Sequence, residues 1–181
     1  MADVTVQSYF EELIPQQYAA AVAAAPDTAN AQPPLTAVVE ISGENGGTYT
    51  LRSAGPQVEV LPGAVSDPDL LVQMSYDSWR AVASDGATDT FVDFVQRGKV
   101  SVVQNLKGTV NLDLTRSDGS SWESTMVFSN QPEPTLTMRM TADDYQAMLR
   151  GDLNGQMAFM TGKLKFEGSL PLLMQIGALA S

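Results

Sequence analysis

Apolar positions along the chain change their period several times, and the changes mark the elements. Tyr9, Phe10, Leu13 and Ile14 recur at helical spacing, which predicts a helix near the start. Pro15 interrupts that run and suits the start of a second helical stretch through Tyr18 to Ala25. The segment 26–34 (PDTANAQPP) reads as a linker that no helix crosses. Beyond it the period becomes two. Val39 and Ile41, then Tyr49 and Leu51, alternate with polar residues around Gly43-Glu44-Asn45-Gly46-Gly47, a strong hairpin signal. Val58 and Val60, then Leu70, Val72 and Met74, predict two more strands with a turn at Pro62-Gly63.

The pattern then repeats itself. Residues 67–82 (DPDLLVQMSYDSWRAV) align with 133–148 (EPTLTMRMTADDYQAM). Pro68 falls on Pro134, Leu70 on Leu136, Met74 on Met140, Ser75 on Thr141, Asp77 on Asp143 and Trp79 on Tyr145. After a small gap, 95–106 falls on 161–170, with Gly98-Lys99 on Gly162-Lys163 and Leu106 on Leu170. The hairpins at 37–52 and 109–128 agree as well. Each copy therefore reads strand, strand, strand, helix, short helix, strand. The main helix starts at Thr141 in one copy and at Ser75 in the other. There a hydroxyl caps the first turn while Asp143 and Asp144, or Asp77, sit at the positive end of the helix dipole.

The copies differ at their outer ends. The first is preceded by a helix, but Lys107-Gly108 leads straight from it into the next strand. The second has no room for a leading helix and ends in an apolar one, with Ser169 as cap and Pro171 in its first turn. This gives an N-terminal helix and linker (1–36), a first unit (37–107) and a second unit with a closing helix (108–181). Each core is near 65 residues, a size at which isolated domains are marginal. The two are expected to pack together as incomplete halves. The fold class is α/β (α+β), a mixed, mostly antiparallel sheet covered by helices and duplicated with pseudo-symmetry.

Composition narrows the chemistry. There are 21 acidic and 10 basic residues, a net charge of -11, and no cysteine or histidine. An acidic surface repels polyphosphate and anionic lipid, so neither nucleic-acid binding nor a permanent seat on a membrane is expected. Without thiol or imidazole there is no disulfide, zinc–thiolate site or Ser–His dyad. No cofactor or metal site is expected: Asp143-Asp144 are explained by capping and have no third ligand nearby. No window is long and apolar enough to span a bilayer, and no secretory leader is visible. A cytoplasmic location is the expectation.

The run from Thr135 to Leu170 (TLTMRMTADDYQAMLRGDLNGQMAFMTGKLKFEGSL), followed by an apolar tail, resembles the end of a sterol carrier protein 2 (sterol-transfer) domain. That family passes through a strand, an acidic-capped helix, an Asn-Pro-X-X-Ala-Phe turn, a Gly-Lys-Leu-Lys-X-X-Gly strand and a last apolar helix. Here Gly155 stands where the turn has proline, and the turn is unrecognisable in the first copy at 86–93. The resemblance is specific over 133–176 and weaker over 37–106. It implies a sheet and helix layer enclosing an apolar tunnel for sterol, fatty acid, acyl-CoA or phospholipid, with the last helix as wall or lid. It also implies a non-catalytic carrier.

Residues 168–181 carry no charge, and apolar positions run nearly all the way round the last helix, so it should be buried on most sides. Seven of the nine methionines lie from Met126 onward, where flexible thioethers suit varied apolar guests. The candidate ligand-binding residues are Tyr145, Met148, Met157, Phe159, Met160, Leu164, Phe166, Leu172, Leu173, Met174 and Ile176. Lys163, Lys165, Arg150 and Lys99 are the conspicuous cations, and Lys163 is a candidate for a ligand carboxylate or phosphate at the tunnel mouth, against the plainer reading of a solvated strand residue. The expected partner is a hydrophobic small molecule (lipid, sterol or acyl chain), with a homodimer as the assembly to test. Two other classes stay open: an accessory module docking a partner enzyme, and an enzyme using the tunnel as a reaction chamber, in which only Tyr, Asp or Lys could move protons.

Overall fold

The computed structural model describes residues 4–84, 89–149 and 151–180. Arg150 and the start of the 86–93 turn lie outside the described residues. The chain opens with α1 (Val6–Ser8), a π-helical stretch (Tyr9–Leu13) and α2 (Ile14–Ala24), which run on without a break. Pro15 explains the π stretch. Its ring and missing N–H disturb the preceding turn, and the widened turn absorbs both while the helix continues.

The short helix α3 (Pro26–Ala31) and four strands follow, β1 (Leu35–Ser42), β2 (Gly47–Ala54), β3 (Gln57–Pro62) and β4 (Leu70–Ser75). Next come α4 (Tyr76–Ser84), α5 (Thr90–Gln96) and α6 (Val100–Asn105). The second half runs β5 (Gly108–Thr115), β6 (Ser121–Phe128), β7 (Thr135–Thr141), α7 (Ala142–Leu149), α8 (Gly155–Met160), β8 (Lys165–Gly168) and α9 (Leu170–Ala180). The strands form one eight-stranded sheet in the order β3-β2-β1-β4-β6-β5-β7-β8. All pairs are antiparallel except β1–β4 and β5–β7. Alternate residues such as Val110, Leu112 and Leu114 are buried beneath the helices, while Asn111 and Asp113 face the other side.

The pairing register repeats residue for residue. Ala37 through Ser42 lie beside Leu70 through Ser75, and Val110 through Thr115 lie beside Leu136 through Thr141. In the first half an antiparallel strand, β3, flanks the hairpin strand β2; in the second half β4 takes that place beside β6. Conversely β8 flanks β7, while β6 takes that place beside β4. One junction thus supplies the missing outer strand to both halves and leaves neither with an open edge there.

Three expectations need correction. Residues 26–31 are not a linker: Pro26 opens a short helix, α3 (Pro26–Ala31), after a sharp bend at Ala25 (φ -142°, ψ 63°). Proline suits a first helical turn, so the composition that stops one helix starts another. Residues 100–105 align with the strand Lys165–Gly168 but form α6. The slot beside β4 that such a strand would fill is taken by β6, and a segment with no edge to pair with satisfies its backbone locally. The last helix, finally, is not buried on most sides. Leu172 is buried, Leu173 and Ile176 are half-buried, and Leu170 and Met174 are exposed. α9 touches β7, α6 and α7 on one side, and no described element covers the other.

Candidate functional site

The interior of the second half is rich in methionine and leucine. Met138 and Met140 on β7, Met126 on β6 and Met148 on α7 are buried with Leu164 and Leu172. Of the eleven candidate residues, Met148, Leu164 and Leu172 are buried, and Tyr145, Phe166, Leu173 and Ile176 pack half-buried against them. Met157, Phe159, Met160 and Met174 stand at the surface, Met174 being 72% exposed.

Local chemistry fixes the three helices around this interior. The Thr141 hydroxyl accepts from Asp144 N (3.1 Å) at the start of α7. Asn154 Oδ1 accepts from Gln156 N (2.8 Å) and Met157 N (3.4 Å) at α8, and Ser169 Oγ accepts from Leu172 N (3.1 Å) at α9. Ser75 plays the same part for α4, accepting from Ser78 N (3.1 Å). α9 comes close to the sheet because β5 starts with glycine. Gly108 has φ +122°, and a Cβ there would meet Pro134 O and lie 2.9 Å from Leu172 Cδ2.

Polar groups at this interior are few. Burial pushes the Tyr145 phenol up to about 12; the nearby Arg97 guanidinium opposes that and the Asp93 carboxylate adds to it. Tyr145 is therefore neutral at ordinary pH. Arg97 Nε donates to Asp93 Oδ2 (2.8 Å), whereas its Nη2 is buried and meets no partner among the described residues. Lys163, the cation singled out for a ligand headgroup, lies 3.9 Å from Asp144 Oδ1.

Sequence reasoning missed two features. The first is Asp89, which caps α5 through Phe91 N (2.9 Å) and accepts from Tyr9 OH (2.7 Å), while its own N–H donates to Gln17 (2.9 Å). Burial raises the pKa of both Asp89 and Tyr9. Both carboxylate oxygens are occupied, which accounts for Asp89 as a tie between the first helices and α5 rather than as an acid–base group. The signal was legible, since Asp89 stands before an apolar helix as Asn154 does.

The second feature is a fork in the sheet. β4 and β6 pair only from Leu70↔Phe128 to Gln73↔Thr125, and β4 then follows β1 away. Open cavities of about 480 and 420 Å³ lie there, the larger lined by residues including Glu40, Gln73, Met74, Glu123 and Ser124. None of the eleven candidate residues lines either one. No sequence pattern announces a gap made by two strands diverging. Among the described residues there is no cluster of three or more metal-ligating side chains, and no helix is long and apolar enough to cross a membrane.

Residues 94–181 match the SCP-2 sterol transfer family. The chain is 24% identical over 185 residues to peroxisomal multifunctional enzyme A of Dictyostelium discoideum, covering 94% of this chain and 41% of that protein. It is 31% identical over 83 residues to human (Homo sapiens) hydroxysteroid dehydrogenase-like protein 2, covering 41% of this chain and 20% of that one. The chain thus spans less than half the length of these relatives. Among solved structures it resembles sterol carrier protein domain 2 of Helicoverpa armigera, with 19% identity, TM-score 0.39, and coverage of 49% of this chain and 77% of that one. So loose a superposition says nothing about ligand.

Proposed function

We infer that this chain, whose residues 94–181 match the SCP-2 sterol transfer family, is a non-catalytic carrier of hydrophobic small molecules such as sterols or fatty acyl chains. The guest would lie between β5–β7 and the helices α7 and α9, in the second unit (108–181), with α9 as the lid. The first unit (37–107) is read as a sterol-carrier-like copy that braces it.

The observation that carries this reading is how lightly α9 is held. In its stretch 170–177 only Leu172 is fully buried, and no residue of 168–181 is charged. Lifting such a helix breaks no ion pair and uncovers a methionine-lined interior able to adapt to a guest. A guest burying about 200 Å² of apolar surface would gain about 5 kcal/mol at ~25 cal/mol per Å². Tyr145, kept neutral, and the unpartnered Arg97 Nη2 are the polar groups suited to a hydroxyl or carboxylate at one end of the guest.

The test is native mass spectrometry of the protein purified from cells, joined to titration with a fluorescent fatty acid and a fluorescent sterol. A co-purifying lipid and saturable binding are expected. Leu173→Glu, on the covered side of α9, should weaken binding at least tenfold, and exposed Met174→Glu should weaken it less. A folded Leu173→Glu protein that binds both probes as tightly as the parent would reject the lid and its tunnel.

A further inference from the structure

We propose that the exposed face of α8 is a docking seat for an amphipathic helix of a protein partner, one with an aromatic-bearing apolar stripe and acidic flanks. The argument comes from the internal repeat and does not depend on lipid carriage.

α5 and α8 are the same element in the two halves. Each opens on a side-chain cap, Asp89 or Asn154. Each closes on a residue of nearly equal geometry, Arg97 (φ -87°, ψ 0°) or Thr161 (φ -88°, ψ 0°). A left-handed glycine and a lysine follow in both, Gly98-Lys99 (φ 72° at the glycine) and Gly162-Lys163 (φ 79°). Counting back from the closing residue, Val95 corresponds to Phe159, Asp93 to Met157 and Gln96 to Met160.

In the first half α2 and α3 lie on α5, and Val95 is 1% exposed; Phe159, its counterpart, is 49% exposed. Among the described residues no leading helix lies over α8. The two neighbouring positions go further. Where α5 carries Asp93, bonded to Arg97, and Gln96, α8 carries Met157 and Met160, exposed by 54% and 71%. The first half demonstrates that polar residues serve the fold at both places. Apolar ones in the second half therefore answer a requirement that the isolated chain does not have.

The kind of occupant follows from the seat that is filled. α2 is a helix whose apolar side carries Ile14, Tyr18 and Ala21, preceded by Glu11-Glu12. It is committed to the first half, with Tyr18 OH donating to Gly55 O (2.7 Å) and Tyr9 OH to Asp89 (2.7 Å). Lys163 and Lys165 follow α8 closely in the chain and are exposed, Lys163 at 3.9 Å from Asp144 Oδ1; they are two of only ten basic residues in a chain of net charge -11. Acidic flanks complement them. The Phe159 ring, 5.2 Å from Phe166, gives the seat an aromatic floor.

The test uses a fluorescein-labelled peptide of this chain's residues 5–25, the sequence that fits the equivalent seat, titrated against the full chain. Saturable binding is expected. Met157→Ser with Met160→Ser should weaken it at least tenfold, and Lys165→Glu at least threefold with a shallower salt dependence. Absence of saturable binding overturns the proposal, as does binding indifferent to the methionine pair. Sedimentation and co-flotation with phosphatidylserine-containing vesicles cover the other occupants. A wild-type dimer that the serine variant dissolves, or vesicle binding that it abolishes, would assign the face to a second copy or to lipid and equally overturn the partner helix.

Discussion

The two halves of the helical layer have the same sheet register beneath them and different chemistry inside. Over the first half the interior is aromatic. Tyr9 meets Phe10 and Trp79 edge-on with ring centroids 5.1 and 5.6 Å apart, and Phe10 stacks on Tyr49 at 4.7 Å. Rings with two torsions, held by such contacts worth about 0.5–1.5 kcal/mol each beyond their buried area, have few other arrangements. Over the second half the interior gathers Met126, Met138, Met140 and Met148 with Leu112, Leu136, Leu164 and Leu172, and Phe128 is its one fully buried ring among the described residues. The methionine side chains repack at little cost. The leading helices lock the first half through the Tyr9–Asp89 bond, whereas α9 rests on the second without a charge or an aromatic ring. The difference teaches that a duplicated sheet can carry one braced half and one compliant half.

The comparison is broken most severely at the junction. Phe128 on β6 is fully buried and pairs with Leu70 of β4 and Gly108 of β5. Phe128→Ala should cost about 3–5 kcal/mol. Because the halves share that strand, urea unfolding followed by Trp fluorescence and by far-UV circular dichroism should give one coincident transition; two separated transitions would mean the halves fold independently.

A smaller and more local effect is expected at the brace. Tyr9→Phe leaves a buried Asp89 oxygen without its donor, at a cost of about 1–3 kcal/mol. Hydrogen exchange should quicken in α2 and α5 and stay unchanged in α7 and α9. The pH dependence has a definite sign. The folded-state pKa of Asp89 lies above its ordinary value, so its contribution is present at acid pH and fades as pH rises through that raised value. Asp89→Asn should therefore lose most against the wild type at low pH, with the gap closing as pH rises. A gap that widens toward neutral pH would contradict the burial argument.

The smallest effect separates α5 from α8. Met157→Ser and Met160→Ser, at exposed positions, should each change stability by less than about 0.5 kcal/mol. Val95→Ser, at a buried position of α5, should cost several times more. Equal costs, read from the midpoints of urea unfolding, would show that α8 is covered in solution.

Much of this architecture was legible because its causes are local. Thr141, Ser75 and Ser169 announce helix starts by a hydroxyl that must lie within reach of the third residue on, and all three make that bond. The alignment of 67–82 with 133–148 made β4 and β7 equivalent strands, and the structure pairs them with β1 and β5 in one repeated register, since a period of two fixes which residues face the helices. The failures were non-local. Nothing within 100–105 tells that the neighbouring edge is already taken, so a strand-like alignment became α6. Uniform apolarity in 170–180 gives a helix without saying how many sides are covered, and the candidate residues Met157, Phe159, Met160 and Met174 reached the surface for the same reason.

What the chain by itself determined is therefore the set of elements, their caps, the duplicated register and the absence of thiol and imidazole chemistry, all matters of residue type and short spacing. What the tertiary structure decided is which edges meet and which faces are left open: the shared β4–β6 junction, the fork beside it, the Tyr9–Asp89 brace and the uncovered side of α8. Those depend on segments as far apart as 80 residues competing for the same space, and the winner is set by the whole assembly's burial and hydrogen bonding, to which no local pattern is sensitive.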